Sequence, residues 1–269
     1  MARFKLFIEY DGTHYSGWQK QNNAKTIQGT LLKAAAEIFK DPNVDIQGSG
    51  RTDSGVHAIC QIAHLEAKTM LAPEIIKLKF NDLLPHDLNL LEVQKANPKF
   101  HARHDALSRS YIYQISRRRT AFGKNHVWWI KDKLNFNSMQ SASNEFLGMH
   151  DFSSFADEDK EEKSTKVLIK DIRMKEEGEL ILIRITGSHF LWKMVRRMVG
   201  VLVEIGRGKM TNEDLKYFLQ NKSNVPAKFT APPSGLFLER VIYKGDSINY
   251  ELKSAGELIW KSDLWKISN

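Results

Sequence analysis

The chain has 269 residues, of which 42% are hydrophobic, enough for one large domain or two modest ones with a real core. Forty lysines and arginines against thirty-two acidic residues give a formal net charge of +8, which weakly favours a polyanionic partner. The single cysteine, Cys60, excludes internal disulfides and cysteine-rich zinc sites, and we expect it to be a small buried residue in a reducing compartment.

The first part of the chain predicts strands and helices in alternation. Apolar and polar side chains alternate from Phe4 to Tyr10, which predicts a half-buried strand. Thr26 is a suitable N-cap for a helix whose apolar face is formed by Ile27, Leu31, Ala35 and Ile38. Pro73 near a helix start predicts a second helix that ends before Pro85. Further strands are predicted at 59–65, 90–93 and 111–115.

The second part of the chain also has patterns typical of both strands and helices. Asn137 is expected to cap a short helix through Phe146, and 157–163 to form a solvated loop. Two strands, 167–174 and 180–185, predict a hairpin. Together with the helices that follow, these elements indicate an α+β architecture and not a regular βαβ series.

A long helix is predicted from about Leu191 to the glycines at 206 and 208. Its inward side chains are expected to be Met194, Val195, Met198 and Val199, with Arg197 on a solvated face. Charged residues inside 190–205 would be costly in hydrocarbon, so we expect no membrane span there. Lys5 and Glu9 interrupt the apolar residues of the N-terminal stretch, so no signal peptide is predicted and we expect a cytoplasmic protein. Thr211 with Asp214 resembles a capping box that begins one more helix.

The most informative stretch is GlySerGlyArgThrAspSerGlyValHisAla, residues 48 to 58. Its three glycines predict a tight loop. Arg51 would keep the Asp53 carboxylate ionised and available as a nucleophile, although spacing alone favours an aspartate that merely accepts hydrogen bonds from turn amides. A phosphate-binding loop is excluded because Val56 and His57 stand where it needs Lys and Ser or Thr. No histidine spacing predicts a metal site, so His57, His101 and His104 are interpreted as structural or RNA-contacting.

The loop resembles the signature of the TruA family of tRNA pseudouridine synthases, in which the loop aspartate is the nucleophile. Other segments resemble family motifs in the expected order, and together they span nearly the whole chain: TyrAspGlyThrHisTyrSerGlyTrpGlnLysGln at 10–21, PheHisAlaArg at 100–103, SerArgSerTyrIleTyr at 108–113, HisAspPheSerSerPhe at 150–155, PheLeuTrpLysMetValArgArgMetValGly at 190–200 and AlaProProSerGlyLeuPheLeu at 231–238. Two departures are Ser54, where the family usually has Ala, and Trp192-Lys193, where a Tyr-His type pair is more usual.

The resemblance implies two similar lobes, each an antiparallel β-sheet flanked by helices, with a basic cleft between them and a homodimer that binds tRNA. We predict an N-terminal lobe at 1–105, a C-terminal lobe at 106–243 and an extension at 244–269 that carries Trp260 and Trp265 and matches no motif. The implied reaction detaches uracil at N1 and reattaches it at C5, which requires no cofactor or metal. Attack by the aspartate at ribose C1′ or at uracil C6 remains open.

The resemblance also assigns roles to further residues. Arg51 is implied to fill the space left by the flipped uridine, and Arg196 to pair with Asp53. Tyr111 is implied to stack on uracil, with its hydroxyl near C5 for proton removal, while Tyr113 on the same strand face is expected to be a packing residue. Leu236 is expected to form an apolar wall of the uracil pocket. The candidate tRNA contacts are Phe100, His101, Ala102, Arg103, His104 and Phe155.

The implied substrates are uridines 38 to 40 in the anticodon arm of tRNA. Three alternatives remain: a synthase with the same loop that modifies other positions or RNAs, a non-catalytic RNA-binding or RNA-folding protein, and a nucleotide-binding enzyme of another fold. The joint presence of Asp53, Arg51, Tyr111 and Arg196 argues against the non-catalytic protein, and saturable ATP binding would support the third alternative.

Overall fold

The computed structural model describes residues 1–158, 164–246 and 251–259. Its strands are β1 (Ala2–Tyr10), β2 (Asp45–Gly48), β3 (His57–Ala67), β4 (Leu88–Lys95), β5 (Ser108–Ser116), β6 (Trp128–Trp129), β7 (Gly148–Asp151), β8 (Lys166–Glu177), β9 (Leu180–Gly187) and β10 (Leu236–Ile242). Its α-helices are α1 (Ile27–Phe39), α2 (Pro73–Leu83), α3 (Phe136–Ser143), α4 (Met194–Gly206), α5 (Asn212–Gln220) and α6 (Ala255–Leu258). No helix among the described residues is both long and apolar enough to cross a membrane.

The described chain divides into two compact units. Unit 1 contains residues 1–107, 237–246 and 256–259, and unit 2 contains residues 108–158, 164–236 and 251–255. The division differs from the predicted lobes because β10 groups with unit 1 from Phe237 onward. There Phe237 and Leu238 pair in parallel with His57 and Ala58 of β3. Sequence order alone had placed this strand in the second lobe.

Unit 1 is a sheet with helices packed against it. Its four antiparallel strands lie in the order β4-β1-β3-β2, and the chain order βαββαβ makes this a split βαβ unit. Alternation in β1 buries Phe4, Leu6 and Ile8 fully, and the predicted apolar faces of α1 and α2 supply buried partners, among them Leu31 and Phe80. Thr26 caps α1 by accepting from the Gly29 amide, as predicted.

Unit 2 repeats the pattern in part. Its antiparallel strands lie in the order β5-β9-β8-β7, with β6 parallel to β5. In unit 2 the strands β5, β9 and β8 lie side by side, and α3 and α4 follow β5 and β9 in the chain. In unit 1 the strands β1, β3 and β2 lie in the corresponding order, and α1 and α2 follow β1 and β3. The α+β prediction of two similar lobes with helix-flanked sheets is therefore confirmed, with the addition of parallel pairings at β10 and β6.

Three local predictions in unit 2 were wrong. Asn135, not Asn137, caps α3 by accepting from the Ser138 amide. The helix α4 begins at Met194 and not near 191, because Lys193 adopts a left-handed conformation with φ 62°. Arg197 does not lie on a solvated face: its side chain is buried and forms an ion pair with Asp157. Most of the predicted loop at 157–163 lies outside the described residues, as do Trp260 and Trp265.

Candidate active site

The Asp53 loop, residues 51–56, lies between β2 and β3 in unit 1. Arg51 is exposed and Asp53 is partly exposed, so both side chains are accessible from solvent. The loop turns at Gly55, which has φ +77°, and the Val56 amide donates to the Asp53 carbonyl at 3.1 Å. The glycine-rich sequence therefore folds as the tight loop that was predicted.

A second stretch of unit 1, the supporting segment at residues 10–18, holds the Asp53 loop by hydrogen bonds. The Trp18 amide donates to the Thr52 carbonyl at 3.0 Å, and the Tyr10 hydroxyl lies 2.8 Å from the buried Thr52 hydroxyl. The Gly55 amide and the Ser54 hydroxyl both donate to the Tyr15 carbonyl, at 3.3 and 3.1 Å. The departure at Ser54 thus adds a hydrogen bond that alanine could not make.

Two glycines of the supporting segment allow this close approach. A Cβ on Gly17 would lie 2.6 Å from the Thr52 carbonyl oxygen, and Gly17 has φ +91°, which L side chains rarely adopt. A Cβ on Gly12 would lie 2.0 Å from the Val56 carbonyl oxygen. Backbone therefore packs directly on backbone along the Asp53 loop, and the family motif at 10–21 has a structural reason for its glycines.

The supporting segment is itself fixed to the rest of unit 1. The buried Tyr15 donates its hydroxyl to Asp87 at 2.5 Å, and Lys25 Nζ lies 3.5 Å from Asp87 and 4.2 Å above the Tyr15 ring. Burial, together with the hydrogen bond to Asp87, raises the pKa of Tyr15 well above its usual value, so the phenol stays a donor. His57 is also buried, accepts from the Gly12 amide at 3.0 Å and stacks on Phe237, which fits the structural interpretation of this histidine.

Tyr111 lies on β5 of unit 2 and is partly exposed. Phe190 packs edge-on against its ring, with centroids 5.1 Å apart and planes at 86°. This contact fixes one side of the tyrosine ring. The sequence does not reveal this contact, although Phe190 begins the motif at 190–200.

Arg196 on α4 is held by the segment that contains Leu236. Its Nε donates to the Ala231 carbonyl at 2.7 Å, and the Ala231 amide donates to the Arg196 carbonyl at 3.0 Å. The helix face beside it buries Met194, Val195, Met198 and Val199, as predicted. The motifs at 190–200 and 231–238 thus meet within unit 2.

Tyr113 plays a larger part than the predicted packing role. It is fully buried, and its hydroxyl donates to the Pro232 carbonyl at 2.8 Å. A Cβ on Gly235 would lie 2.7 Å from the Tyr113 ring, so the ring sets the path of the chain just before the buried Leu236. Burial raises the pKa of Tyr113 well above its usual value, and the hydroxyl therefore remains a donor.

The candidate tRNA contacts differ in exposure. Arg103 and His104 are exposed, and Phe100 and His101 are partly exposed. Ala102 and Phe155, in contrast, are fully buried, so their side chains are not available to RNA in this structure. Phe155 packs in an aromatic cluster with Phe146 and Phe152, which explains its aromatic character without RNA.

Beneath Ala102 lies His64 of β3, a buried histidine that the sequence did not single out. Its Nδ1 accepts from the Ala102 amide at 3.2 Å, while the Tyr243 hydroxyl donates to the Ala102 carbonyl at 2.7 Å. Burial, with the neighbouring His101 and Arg3 adding to it, lowers the pKa of His64 to about 4. The ring is therefore neutral at physiological pH, as its acceptor role requires.

Taken unit by unit, the structure places Arg51 and Asp53 in one supported loop of unit 1, and Tyr111, Arg196 and Leu236 in unit 2. The predicted pairing of Arg196 with Asp53 joins residues of both units and stays a prediction. The same holds for the uracil pocket wall at Leu236.

Comparison with known proteins identifies the family. The family model described as tRNA pseudouridine synthase matches residues 6–105 and 142–244. The tRNA pseudouridine synthase A of Maridesulfovibrio salexigens is 41% identical over 248 residues, covering 90% of this chain and 91% of the relative. That of Acetivibrio thermocellus is 38% identical over 245 residues, covering 90% of this chain and all of the relative. The chain therefore belongs to the tRNA pseudouridine synthase family, a family of isomerases.

Proposed function

We propose that this pseudouridine synthase converts uridine to pseudouridine in the anticodon arm of tRNA, at one or more of positions 38 to 40, with Asp53 as the nucleophile. The observation that carries the proposal is the Asp53 loop, whose backbone is held on the supporting segment through Trp18, Tyr15 and the two close-packed glycines. A carboxylate that must attack one carbon atom needs a fixed backbone, because small displacements cost much of the rate.

The reaction balances without any other reactant. The bond from ribose C1′ to N1 of uracil breaks, the bond from C1′ to C5 forms, the C5 proton leaves, and N1 gains a proton. The Asp53 carboxylate makes a transient bond to C1′ or to C6 and is released at the end. No electrons are transferred to or from the substrate, so we expect turnover without a redox cofactor, group donor or metal.

Four further side chains complete the proposed mechanism. Arg51, exposed beside Asp53, supports the flipped nucleotide in the space that the uridine leaves. Tyr111 stacks on the uracil ring and its hydroxyl assists removal of the C5 proton, with Phe190 holding the ring in place. Arg196 pairs with the Asp53 carboxylate, and Leu236 supplies an apolar wall for the base.

Recognition of tRNA is assigned to shape and phosphate contacts. The exposed Arg103 and His104 remain the best candidates of the 100–104 segment, since Ala102 is buried. The net charge of +8 supports a polyanionic substrate. We propose in addition that the enzyme is a cytoplasmic homodimer.

The test is to map pseudouridine in tRNA from cells with and without this protein, and from cells that carry Asp53→Asn. We expect pseudouridine at positions 38 to 40 to disappear in the second and third cases. Loss at other positions or in other RNAs would replace the proposed substrate, and an unchanged map would overturn the proposed activity.

A purified-enzyme assay tests the chemistry separately. Turnover should survive exhaustive dialysis against chelator, provided that the tRNA is folded beforehand. A requirement for added metal in the chemical step would contradict the proposed reaction.

A further inference from the structure

The segment that links β5 to α3 is the most basic stretch of unit 2. The 117–133 loop contains Arg117, Arg118, Arg119, Lys124, Lys131 and Lys133 against a single acidic residue, Asp132. Its formal charge of +5 in seventeen residues compares with +8 for the whole chain. The excess of positive charge is therefore concentrated in a small part of the sequence.

Ion pairs neutralise only the ends of this loop. Arg117 pairs with Glu176 at 2.5 Å, and Asp132 pairs with Arg207 at 2.8 Å. The side chains of Arg118, Arg119, Lys124, Lys131 and Lys133 are exposed, and no carboxylate within residues 1–158, 164–246 and 251–259 pairs with them. Such a group of exposed cations is suited to bind several phosphates at once.

Exposed aromatic side chains lie among these cations. Phe122 is 92% exposed and Trp129 is 43% exposed. The Arg119 guanidinium lies 5.8 Å from the centroid of the Trp129 ring. Cations bind the phosphates of single-stranded RNA while aromatic rings stack on its unpaired bases, and this loop offers both groups on neighbouring residues.

The loop is bonded to β5 at its base and exposed at its tip. Trp128 and Trp129 pair with Ile115 and Ser116 of β5, and the His126 carbonyl accepts from Gln114 at 2.8 Å. At the tip, the Thr120 hydroxyl bonds to the Phe122 carbonyl within the turn. A firm base with an exposed tip suits a loop that reaches out to a ligand.

We propose that the 117–133 loop is an RNA-binding element of this enzyme: its exposed arginines and lysines contact tRNA phosphates, and Phe122 stacks on an unpaired base. The inference rests on the proposed function, since it takes tRNA as the ligand, but it concerns binding and not the chemical step. Neither the loop nor its residues resemble any motif of the family that was identified in the sequence.

The first experiment measures the salt dependence of tRNA binding. The triple variant R118Q/R119Q/K124Q should reduce the slope of log Kd against log salt by about two to three, at about 0.7 to 0.9 for each lost phosphate contact. The matched control K33Q/K68Q/K79Q removes three exposed lysines from unit 1 and should leave the slope nearly unchanged. Equal reductions in both variants, or none in the first, would overturn the inference.

The second experiment tests stacking. Phe122→Ala should weaken tRNA binding about fivefold or more without changing the salt slope, and Phe122→Trp should restore the affinity. Affinity that is unchanged in Phe122→Ala, or lost equally in Phe122→Trp, would overturn the stacking role. Binding of the loop to anionic phosphatidylglycerol vesicles, with no effect of the variants on tRNA, would indicate a membrane surface instead.

The same preparations separate this inference from the proposed function. Single-turnover release of tritium from C5-labelled uridine at saturating enzyme should be the same in the wild type and in the loop variants. A wild type that binds tRNA through the loop but releases no tritium would contradict the proposed activity alone. Full activity with unaltered binding in every loop variant would contradict the loop inference alone.

Discussion

The Asp53 loop and the 117–133 loop both present charged side chains to solvent, yet the protein holds them in opposite ways. The first is hydrogen bonded along its backbone and packed so closely that Gly12 and Gly17 leave no room for a Cβ. The second is bonded to β5 near its ends and extends an exposed phenylalanine at its tip. The difference indicates that attack on one atom needs a fixed backbone, whereas capture of a flexible RNA does not.

Substitution of Asp53 should have the largest effect on product formation. Asp53→Asn and Asp53→Ala are expected to abolish product formation while tRNA affinity stays close to the wild-type value, because each removes the nucleophile and leaves the phosphate contacts intact. The loop variants should do the reverse, with weaker binding and normal turnover. Tritium release and filter binding measure the two quantities, and residual turnover near the wild-type rate would remove the nucleophile from this residue.

Substitutions of Tyr111 test whether β5 contributes to the chemical step, whereas the 117–133 loop that follows it is proposed to contribute only to tRNA binding. If the hydroxyl assists proton removal from C5, Tyr111→Phe should lower the single-turnover rate about a hundredfold or more and keep tRNA affinity. Tyr111→Leu should reduce both. A wild-type rate in Tyr111→Phe would leave only the stacking role.

The control for Tyr111 follows from the structure. Tyr113→Phe keeps the ring but removes the donor to the partly buried Pro232 carbonyl, which should cost about 0.5–1.5 kcal/mol of unfolding free energy. The single-turnover rate of the folded variant should stay close to the wild-type value. Urea denaturation and tritium release separate these two effects.

Gly17 tests directly whether close packing fixes the Asp53 loop. Gly17→Ala places a Cβ against the Thr52 carbonyl at φ +91°, so we expect about 1–3 kcal/mol of destabilisation and a kcat reduced about ten- to a hundredfold. The matched control is Gly50→Ala, since Gly50 precedes the same loop and a Cβ there meets nothing within 4 Å. Equal kcat values in the two variants would break the contrast between the loops.

The smallest effect should be a pH dependence at the 100–104 segment, which is exposed on one side and bonded to buried His64 on the other. The folded chain keeps His64 neutral down to a pH of about 4, whereas an unfolded histidine binds its proton near pH 6.5. The unfolding free energy should therefore fall as the pH drops from about 6.5 to about 4. His64→Gln retains an acceptor for the Ala102 amide without titrating, so its unfolding free energy should fall less, by an amount on the order of 1 kcal/mol. Parallel urea titrations of the two proteins at pH 7 and pH 5 would reveal this difference or refute it.

Local signals in the sequence predicted much of the fold. The cap at Thr26 and the capping box at Thr211 depend on neighbours in the chain, and both are present in the structure. The alternation in β1 is present except at Phe7, which is also buried. The shift of the α4 start depends on the left-handed Lys193, whose Nζ pairs with Asp157 at 2.6 Å. The spacing of apolar residues along the helix gives no sign of that ion pair, so it could not predict where the helix begins.

In the candidate site, too, the sequence predicted local features but not the contacts between residues distant in the chain. The motifs located Asp53, Tyr111 and Arg196, but not what holds them. Phe190 beside Tyr111 and the Ala231 carbonyl that accepts from Arg196 belong to segments distant in sequence. Arg197 appeared solvated because its neighbours in the helix did not reveal Asp157. Tertiary partners decide such roles, and a single sequence does not encode them in a local pattern.

The burial of Cys60 makes it practical to attach a fluorescent label at a chosen site and follow tRNA binding. It is the single cysteine of the chain, it is buried in β3, and burial raises the pKa of its thiol to about 12. Because thiolates and not thiols react with maleimides and oxidants, Cys60 should remain unlabelled in the native protein. A cysteine introduced in place of the exposed Ala121, next to Phe122, would then be the one reactive thiol. A dye at that position would report arrival and release of tRNA in real time, without any substitution of the native cysteine.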